Sequence, residues 1–566
     1  MPVRQEHSRL RGISLPPSGW VLAILLVIYI FTGLIGHDPW KNDDAVTIGI
    51  AYDIVTNGNW QILHLAGQPY PDAPLYYWIA ATTAHLFSWL LPVHDAARLA
   101  SGLCTLLALE FTLLAARELH GKDDAAAAPL ILAGSIGFLF HAHEAQPMLA
   151  ALTAHTAAYW ALTLTQRRPK FSGLVFAAAV ALGFLSNGLL PVLTLLPVTL
   201  ITLWQSEDRK KTAVLLAFAL ALALFICGLW ILPLEMSAPQ YLASFLRGEL
   251  KPLALQAPTN TPRYLNMLLW YAWPALPLAA WALWSKRRVL RSKPLALPIL
   301  SFASVLLILG LSVEMRSAEA LLLLPPLVLL AVPGVTSLRR GATNAFDWFG
   351  MMTFTIFSAV VWVAWSAMVF GWPERLARQV VRLEPGFVGH FNLITFTFSA
   401  LCTIIWFWLI VTSPRSPMRG IMHWMAGLTL FWVLIAALWM PWIDYGKSFR
   451  PLSNSLAKAL PTKINCIANA NLPNAILASL DYFDGTRTIP LKTDAGERCN
   501  WLLVQGKPSA PEALTAAGWR KTWEDKRPGD RRESDKFHLY KRNTKAHANA
   551  LSDVPVLEPE AAASLP

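Results

Sequence analysis

Residues 19–36 read GWVLAILLVIYIFTGLIG and contain no charged side chain. A run of this length can cross a bilayer as one helix, because about 20 apolar residues span the hydrocarbon core. It follows Arg4, Arg9 and Arg11, and no small-residue cleavage site comes after it, which favours a retained signal anchor over a cleaved signal peptide. The N-terminus is therefore predicted to lie in the cytoplasm.

The rest of the chain repeats this pattern. Of its 566 residues, 55% are hydrophobic and only 14% are charged, and the apolar share falls into blocks of roughly 18–25 residues. The formal net charge of +12 does not indicate a nucleic-acid partner, because the basic residues form short clusters between apolar blocks, as membrane topology places them. These features predict a polytopic α-helical membrane protein and exclude a wholly soluble one.

Charge bias sets the predicted topology. We expect six basic clusters to face the cytoplasm: Arg117–Lys122, Arg167–Lys170, Arg209–Lys211, Lys286–Lys293, Arg339–Arg340 and Arg415–Arg419. This holds if Leu75–Leu91 re-enters or lies along the outer leaflet; a true span there is the alternative. About thirteen helices are then predicted, at 19–36, 96–116, 128–141, 148–165, 171–187, 189–205, 212–233, 263–284, 294–313, 318–337, 346–371, 391–412 and 418–440.

An odd number of spans places the C-terminal tail outside, in the periplasm. We predict a membrane domain over 1–440, with the first external loop at 37–93, then an α/β domain over 441–542 and a disordered tail over 543–566. Strands are predicted at 488–491, 501–505 and 537–540, and helices at 448–460, 474–482 and 511–517. In an oxidising compartment Cys466 and Cys499 could form a disulfide.

The first external loop contains the most informative polar pattern. Asp43 and Asp44 come directly after the first membrane helix, then Gly58-Asn-Trp60 and Gly67-Gln-Pro-Tyr70, and finally the run Asp72-Ala-Pro-Leu-Tyr-Tyr-Trp78. Paired carboxylates at a helix mouth have no role in spanning. From the residues alone, capping of the following helix and a catalytic role are equal alternatives.

This spacing over some 35 residues resembles the first external loop of GT-C glycosyltransferases related to the protein O-mannosyltransferases, and among them the lipid A aminoarabinose transferases. The resemblance implies transfer of a sugar from a polyprenyl (undecaprenyl) phosphate carrier. It also implies that Asp43 acts on the acceptor as a general base or orienting group, that Asp44 assists, and that the loop holds the donor and its phosphate. The donor-binding candidates are His64, Tyr70, Asp72 and Tyr76.

The chain departs from the family pattern at two places. Ala73 stands where the family has a lysine, and Gln146 or Pro147 stands near an expected second aspartate; Glu144, two residues earlier, is the candidate substitute. Because His141 and His143 are close by, a divalent metal is an alternative there, but three ligands without a fourth do not define a site. No cofactor is predicted.

Two other external segments carry candidate phosphate ligands. Arg316 lies where the family has a basic residue, and a guanidinium suits bidentate phosphate binding. Arg247 lies in the external segment 234–262, which could order around a lipid head group. For both arginines the alternative is a solvated surface charge.

The predicted function is glycosyl transfer at the periplasmic side of a bacterial inner membrane, foremost of aminoarabinose to lipid A. Alternatives are mannosyl or hexosyl transfer to a protein or another glycan, and a non-catalytic polyprenyl-lipid-binding or transport protein. A transporter would favour internal repeats and many ionisable residues within spans, and neither pattern is present in the sequence. The expected partners are the lipid-linked donor, the acceptor and membrane lipids.

Overall fold

Apolar runs fold as helices in a membrane because a helix satisfies its own backbone hydrogen bonds. The computed structural model describes residues 19–250, 260–313, 315–461, 464–470, 472–506 and 518–542. The helices up to Ser337 are α1 Gly19–Phe31, α2 Asn42–Asn57, α3 Leu75–Phe87, α4 Val93–His120, α5 Lys122–Ala125, α6 Ala127–Ala133, α7 Ile136–Ala142, α8 Met148–Thr163, α9 Pro169–Asn187, α10 Leu189–Gln205, α11 Arg209–Ser237, α12 Pro239–Leu250, α13 Thr261–Tyr271, α14 Ala275–Ser285, α15 Lys293–Leu311 and α16 Leu324–Ser337, the last preceded by a 3-10 helix over Ser317–Leu323.

The remaining helices are α17 Arg340–Phe370, α18 Glu374–Leu383, α19 Leu393–Thr412, α20 Arg419–Leu434, α21 Met440–Lys447, α22 Arg450–Ala459, α23 Asn474–Asp484 and α24 Asp494–Glu497, with a π-helical turn over Ile435–Trp439 between α20 and α21. The chain therefore stays helical from Arg419 to Lys447. Its strands are β1 His64–Leu65, β2 Gln68–Pro69, β3 Ile467–Ala470, β4 Ile489–Pro490, β5 Trp501–Gln505, β6 Trp519–Asp525 and β7 Phe537–Arg542.

Each of the thirteen predicted spans coincides with a helix or a helix pair. Eight helices of the described residues are long and apolar enough to cross a membrane, or up to ten if each bent pair is one span. The bent pairs are α5 to α7, with a bend of 65°, and α13 with α14, with a bend of 101°. The other three predicted spans are α1, α8 and α10, whose 13, 16 and 17 residues are short for a bilayer.

The first loop folds as a helix, a hairpin and a second helix. Helix α2 ends at Gly58, whose φ of 72° and ψ of 23° are left-handed, a conformation that glycine adopts without steric cost. Asn59 donates to Asp53 at 2.7 Å, and the Trp60 carbonyl accepts from the Trp78 indole at 2.7 Å. These bonds tie the Gly-Asn-Trp segment to both helices.

Helix α3 has 13 residues, too few to cross alone, and its re-entrant placement stays a prediction.

The tail contains a five-stranded sheet in the order β4-β3-β5-β7-β6, parallel on one side and antiparallel on the other. Predicted strands β4, β5 and β7 and helices α22 and α23 are present. Strands β3 and β6 were not predicted; β6 is mostly charged because it is an edge strand with an exposed face. The structure joins Cys466 and Cys499 in a disulfide with a Cα–Cα distance of 5.2 Å. Segments 511–517 and 543–566 lie outside the described residues.

The tail domain packs directly on the first loop. A Cβ atom at Gly49 of α2 would lie 2.8 Å from the Cβ of Ala478 in α23, so only a glycine allows this approach of the two helices. Arg450 forms an ion pair with Asp38, and Tyr482 hydroxyl lies 2.6 Å from Nδ1 of His94. These contacts place the tail domain at the end of the helical bundle where the acidic pair lies.

Candidate active site

Asp43 and Asp44 lie in the first turn of α2, whose first residue is Asn42. The capping position belongs to Lys41, which makes no side-chain cap bond, so the capping alternative is wrong for both aspartates. Neighbouring side chains on a helix diverge by about 100°. Asp44 accordingly points inward and is 1% exposed, whereas Asp43 is exposed.

Asp44 is held by a buried arginine. The Arg98 side chain, which is fully buried, donates from Nε to Oδ1 at 3.0 Å and from Nη2 to Oδ2 at 2.7 Å. The Ala145 backbone N–H donates to Oδ1 at 2.8 Å. Burial alone would raise the pKa of Asp44, but the Arg98 guanidinium and these hydrogen bonds lower it below its usual range. Asp44 therefore stays ionised and links α2 to α4 and to the 143–147 loop.

Arg98 is the hub of this buried network. Nη1 donates to the His37 carbonyl at 2.8 Å and to Oδ1 of Asp95 at 3.2 Å. Arg98 was not among the predicted site residues, although an arginine in an apolar helix near its outer end indicates a paired charge. The network fixes where the first loop leaves the membrane helices.

Asp43 faces a different environment. Its Oδ2 accepts a hydrogen bond from Nε2 of Gln146 at 3.0 Å. Gln146 itself is 4% exposed, so its amide is fixed and orients the carboxylate. The residue that stands near the family's second aspartate thus serves as a neutral donor to the first.

Glu144 is paired with Lys41. The Lys41 ammonium forms an ion pair with Oε1 of Glu144, whose side chain is 11% exposed, and one third of the Lys41 side chain remains accessible. Burial raises the pKa of Glu144, and the Lys41 charge partly offsets that effect. Ala73 is uncharged and stands where the family has a lysine. Lys41, two residues before Asp43, supplies a cation to this part of the chain instead.

Asp72 and Tyr70 are further first-loop side chains on whose pKa the charge of Asp43 acts. Asp72 accepts from the Tyr77 hydroxyl at 2.7 Å and from the Ala73 backbone N–H at 2.7 Å. Burial raises the pKa of Asp72, and Arg316 partly lowers it. Burial also raises the pKa of Tyr70 to about 12, with contributions from the charges of Asp72, Arg316 and Asp43. Arg316 and Asp43 therefore lie within electrostatic range of the same two side chains.

The remaining candidates bond to other partners. His64 lies in the hairpin, with Nδ1 2.9 Å from the Ile62 carbonyl. Arg247 is exposed on α12 and donates to Ala243 and Ser244 of its own helix. Tyr76 is fully buried behind the cluster, with its hydroxyl against Ser101, which in turn donates to the Glu144 carbonyl. Donor binding by these three residues stays a prediction.

The alternative of a metal site concerns the side chains of His141, His143 and Glu144. Among the described residues, no group of three or more His, Cys, Asp or Glu side chains is arranged to hold an ion. Both ring nitrogens of His143 face backbone carbonyls, Leu139 at 3.0 Å and Tyr29 at 2.6 Å. His143 is therefore committed to joining helices.

Known proteins resemble this chain in sequence and in fold. A family model described as dolichyl-phosphate-mannose-protein mannosyltransferase matches residues 70–231. An undecaprenyl phosphate-alpha-4-amino-4-deoxy-L-arabinose arabinosyl transferase of Pseudomonas aeruginosa (strain UCBPP-PA14) is 26% identical over 442 residues, which cover 74% of each chain. A transferase of the same description, numbered 1, from Sodalis glossinidius is 28% identical over 239 residues, 40% of this chain and 41% of that one.

A solved structure shows the same fold. The crystal structure of ArnT from Cupriavidus metallidurans bound to undecaprenyl phosphate aligns with a TM-score of 0.66 at 15% identity, covering 93% of this chain and 98% of that chain. The apo structure of the same protein aligns equally well, with a TM-score of 0.66 at 16% identity. The predicted architecture, a helical membrane protein with a strand-containing C-terminal domain, is confirmed.

Proposed function

We propose that this chain, which belongs to the GT-C glycosyltransferases related to the protein O-mannosyltransferases, transfers 4-amino-4-deoxy-L-arabinose from undecaprenyl phosphate to lipid A. The observation that carries the proposal is the first external loop, where the exposed carboxylate of Asp43 accepts from Gln146 and lies two residues from Lys41, the cation paired with Glu144. The charge of Arg316, from the segment between α15 and α16, acts on Tyr70 and Asp72 of the same loop. The names of the relatives supply the sugar and the carrier.

The proposed reaction needs little covalent chemistry from the protein. The bond between the sugar's anomeric carbon and the carrier phosphate breaks, the acceptor oxygen forms the new bond, and undecaprenyl phosphate leaves with the electron pair. Asp43 orients the acceptor oxygen and takes its proton where it carries one. Lys41 and Arg316 neutralise the phosphate charge as it develops. Asp44 acts as a positioning residue, since its oxygens are occupied by Arg98 and Ala145.

Lys41 offers a physical replacement for the lysine that Ala73 lacks. Its ammonium reaches the site from the residue before α2 and keeps an accessible surface beside Glu144. A carboxylate beside the lysine holds the ammonium in place and can release it to a phosphate dianion, whose higher charge attracts it more strongly.

The proposed orientation places this site, and the tail domain that packs on it, in the periplasm of a bacterial inner membrane. The division into a membrane domain over 1–440, a tail domain over 441–542 and a terminal segment over 543–566 is part of the same proposal. Basic clusters at the other end of the bundle support this orientation.

The test is transfer by the purified protein, comparing aminoarabinose and mannose carried on undecaprenyl phosphate, with lipid A or an acceptor peptide, followed by mass spectrometry. Asp43→Asn is expected to reduce kcat by about 10²–10⁴-fold. Asp123→Asn, an exposed aspartate far along the chain, is the matched control and keeps full activity. Equal turnover by Asp43→Asn contradicts the catalytic assignment, and transfer of mannose to peptide alone replaces the proposed substrates with the mannosyl alternative.

A further inference from the structure

A polar cavity lies at the end of the helical bundle opposite the candidate active site. It has a volume of about 1020 Å³ and is lined by the ends of α16, α17, α19 and α20. Helix α20 begins there at Arg419, and its helical continuation reaches Asp444, which accepts a hydrogen bond from the Asp38 backbone at 3.0 Å. Twenty-five residues of helix span roughly 38 Å, so this cavity is remote from the candidate active site.

The cavity carries an excess of positive charge. Arg340, Arg415 and Arg419 line it together with one carboxylate, Asp347. Asp347 is already engaged, because its Oδ1 lies 2.6 Å from Nδ1 of the buried His423 and its Oδ2 lies 3.3 Å from Nε of Arg419. Arg340 and Arg415 are exposed at the mouth. An anion that enters therefore meets two guanidiniums that are not needed to balance Asp347.

Part of the remaining lining is apolar. Trp348, Met352 and Phe407 line the cavity and are 62%, 50% and 50% exposed, so their outer surfaces face the surroundings of the bundle. Thr355, which also lines the cavity, accepts a hydrogen bond from the Trp406 indole at 3.2 Å. The cavity thus joins a cationic mouth to an apolar wall that is continuous with the lipid-facing surface.

From this arrangement we infer that the cavity binds an anionic phospholipid of the surrounding bilayer. The phosphate of the head group sits between Arg340 and Arg415, and the acyl chains lie along Trp348, Met352 and Phe407. Basic pockets between membrane helices bind such head groups by charge and hydrogen bonding. A free phosphate would use the arginines but leave the apolar wall unfilled, whereas a zwitterionic lipid would bring its own cation beside them.

The test uses the purified, delipidated full chain in detergent and native mass spectrometry of bound lipid. Wild-type protein is expected to retain dioleoyl phosphatidylglycerol in preference to dioleoyl phosphatidylcholine. Arg340→Ala/Arg415→Ala should weaken phosphatidylglycerol binding by about 30-fold and leave phosphatidylcholine binding unchanged. Arg287→Ala/Arg288→Ala removes two exposed arginines from another basic segment and is the matched control, expected to bind within about twofold of wild type.

Three outcomes overturn the inference: equal binding of the two lipids by wild type, unchanged phosphatidylglycerol binding by Arg340→Ala/Arg415→Ala, or displacement of the lipid by inorganic phosphate at millimolar concentration, which would make the cavity a site for the free ion. The charge-retaining Arg340→Lys/Arg415→Lys separates charge from folding. It should keep most of the binding, and a loss equal to that of the alanine variant would also overturn the inference.

Discussion

The two aspartates at the start of α2 differ more than their adjacency suggests. Asp44 lies in a closed region in which Arg98 and a backbone N–H occupy both of its oxygens. Asp43 lies in an open region, exposed, with Gln146 as its hydrogen-bond donor. A helix turns by about 100° per residue, so a single step along the chain separates a carboxylate that holds the loop from one that can meet a substrate.

The comparison assigns opposite costs to the two regions. Disrupting the closed region leaves a buried charge without its partner, which mainly costs stability. Disrupting the open region changes a surface that water already reaches, which mainly costs activity. Substitutions in each region therefore test whether the two aspartates have these different roles.

The largest stability effect is expected for Arg98→Leu. The variant leaves Asp44 and Asp95 buried without their guanidinium, and we expect the free energy of unfolding to fall by about 3–5 kcal/mol. Thermal unfolding in detergent, followed by tryptophan fluorescence, measures the loss. Arg117→Leu, at the exposed far end of the same helix, is the control and should change little.

A double variant tests whether the closed region acts through its pairing. Arg98→Leu/Asp44→Leu removes both charges, so it should recover much of the stability that Arg98→Leu loses. If the double variant is as unstable as the sum of the single ones, Asp44 and Arg98 do not act as a pair, and the contrast with Asp43 loses its basis.

In the open region, Lys41→Ala is expected to lower kcat/KM for the lipid-linked donor about tenfold, with little change in unfolding temperature. Burial raises the pKa of Glu144 and Lys41 lowers it, so removing Lys41 raises that pKa further. If Glu144 works ionised, the acid limb of the pH–rate profile moves to higher pH. Lys41→Arg should restore most of the activity, and an unmoved acid limb with full activity would remove Lys41 and Glu144 from the site.

The membrane architecture was predictable because apolar length alone determines it. All thirteen predicted segments are helical, but the break between α13 and α14 was not predicted. That break falls at 272–274, where Pro274 directly precedes α14, which lies at 101° to α13. A proline within an apolar run was the available signal.

The candidate site was predictable only in part. Asp43, Tyr70 and Asp72 were found because they and their neighbours match a known pattern along the chain. Arg98 and Gln146 lie 54 and 103 residues from the aspartates that they contact. Such partners depend on how helices pack, which no local pattern contains. The same limit explains why Arg247, chosen for its charge, bonds to its own helix among the residues that the structure describes.

The smallest effect concerns Glu249, a carboxylate between the two extremes. Half-buried at the end of α12, it accepts from the Leu189 backbone N–H at 2.7 Å, at the start of α10. Burial raises the pKa of Glu249 to about 7. Since this pKa is above that of the unfolded chain, the folded state binds more protons, and stability falls as pH rises from about 4.5 through 7.

Glu249→Gln keeps the acceptor oxygen and removes the titration. The variant should match wild type at pH 5 and be more stable at pH 8 by about 1 kcal/mol, a modest value because water reaches part of the side chain. Unfolding midpoints at the two pH values measure the difference, and Glu235→Gln, an exposed glutamate just before α12, should show none. A gain that is the same at both pH values would mean that partial burial does not affect the charge of Glu249. The contrast between the closed and the open region would then apply to Asp43 and Asp44 but not to Glu249.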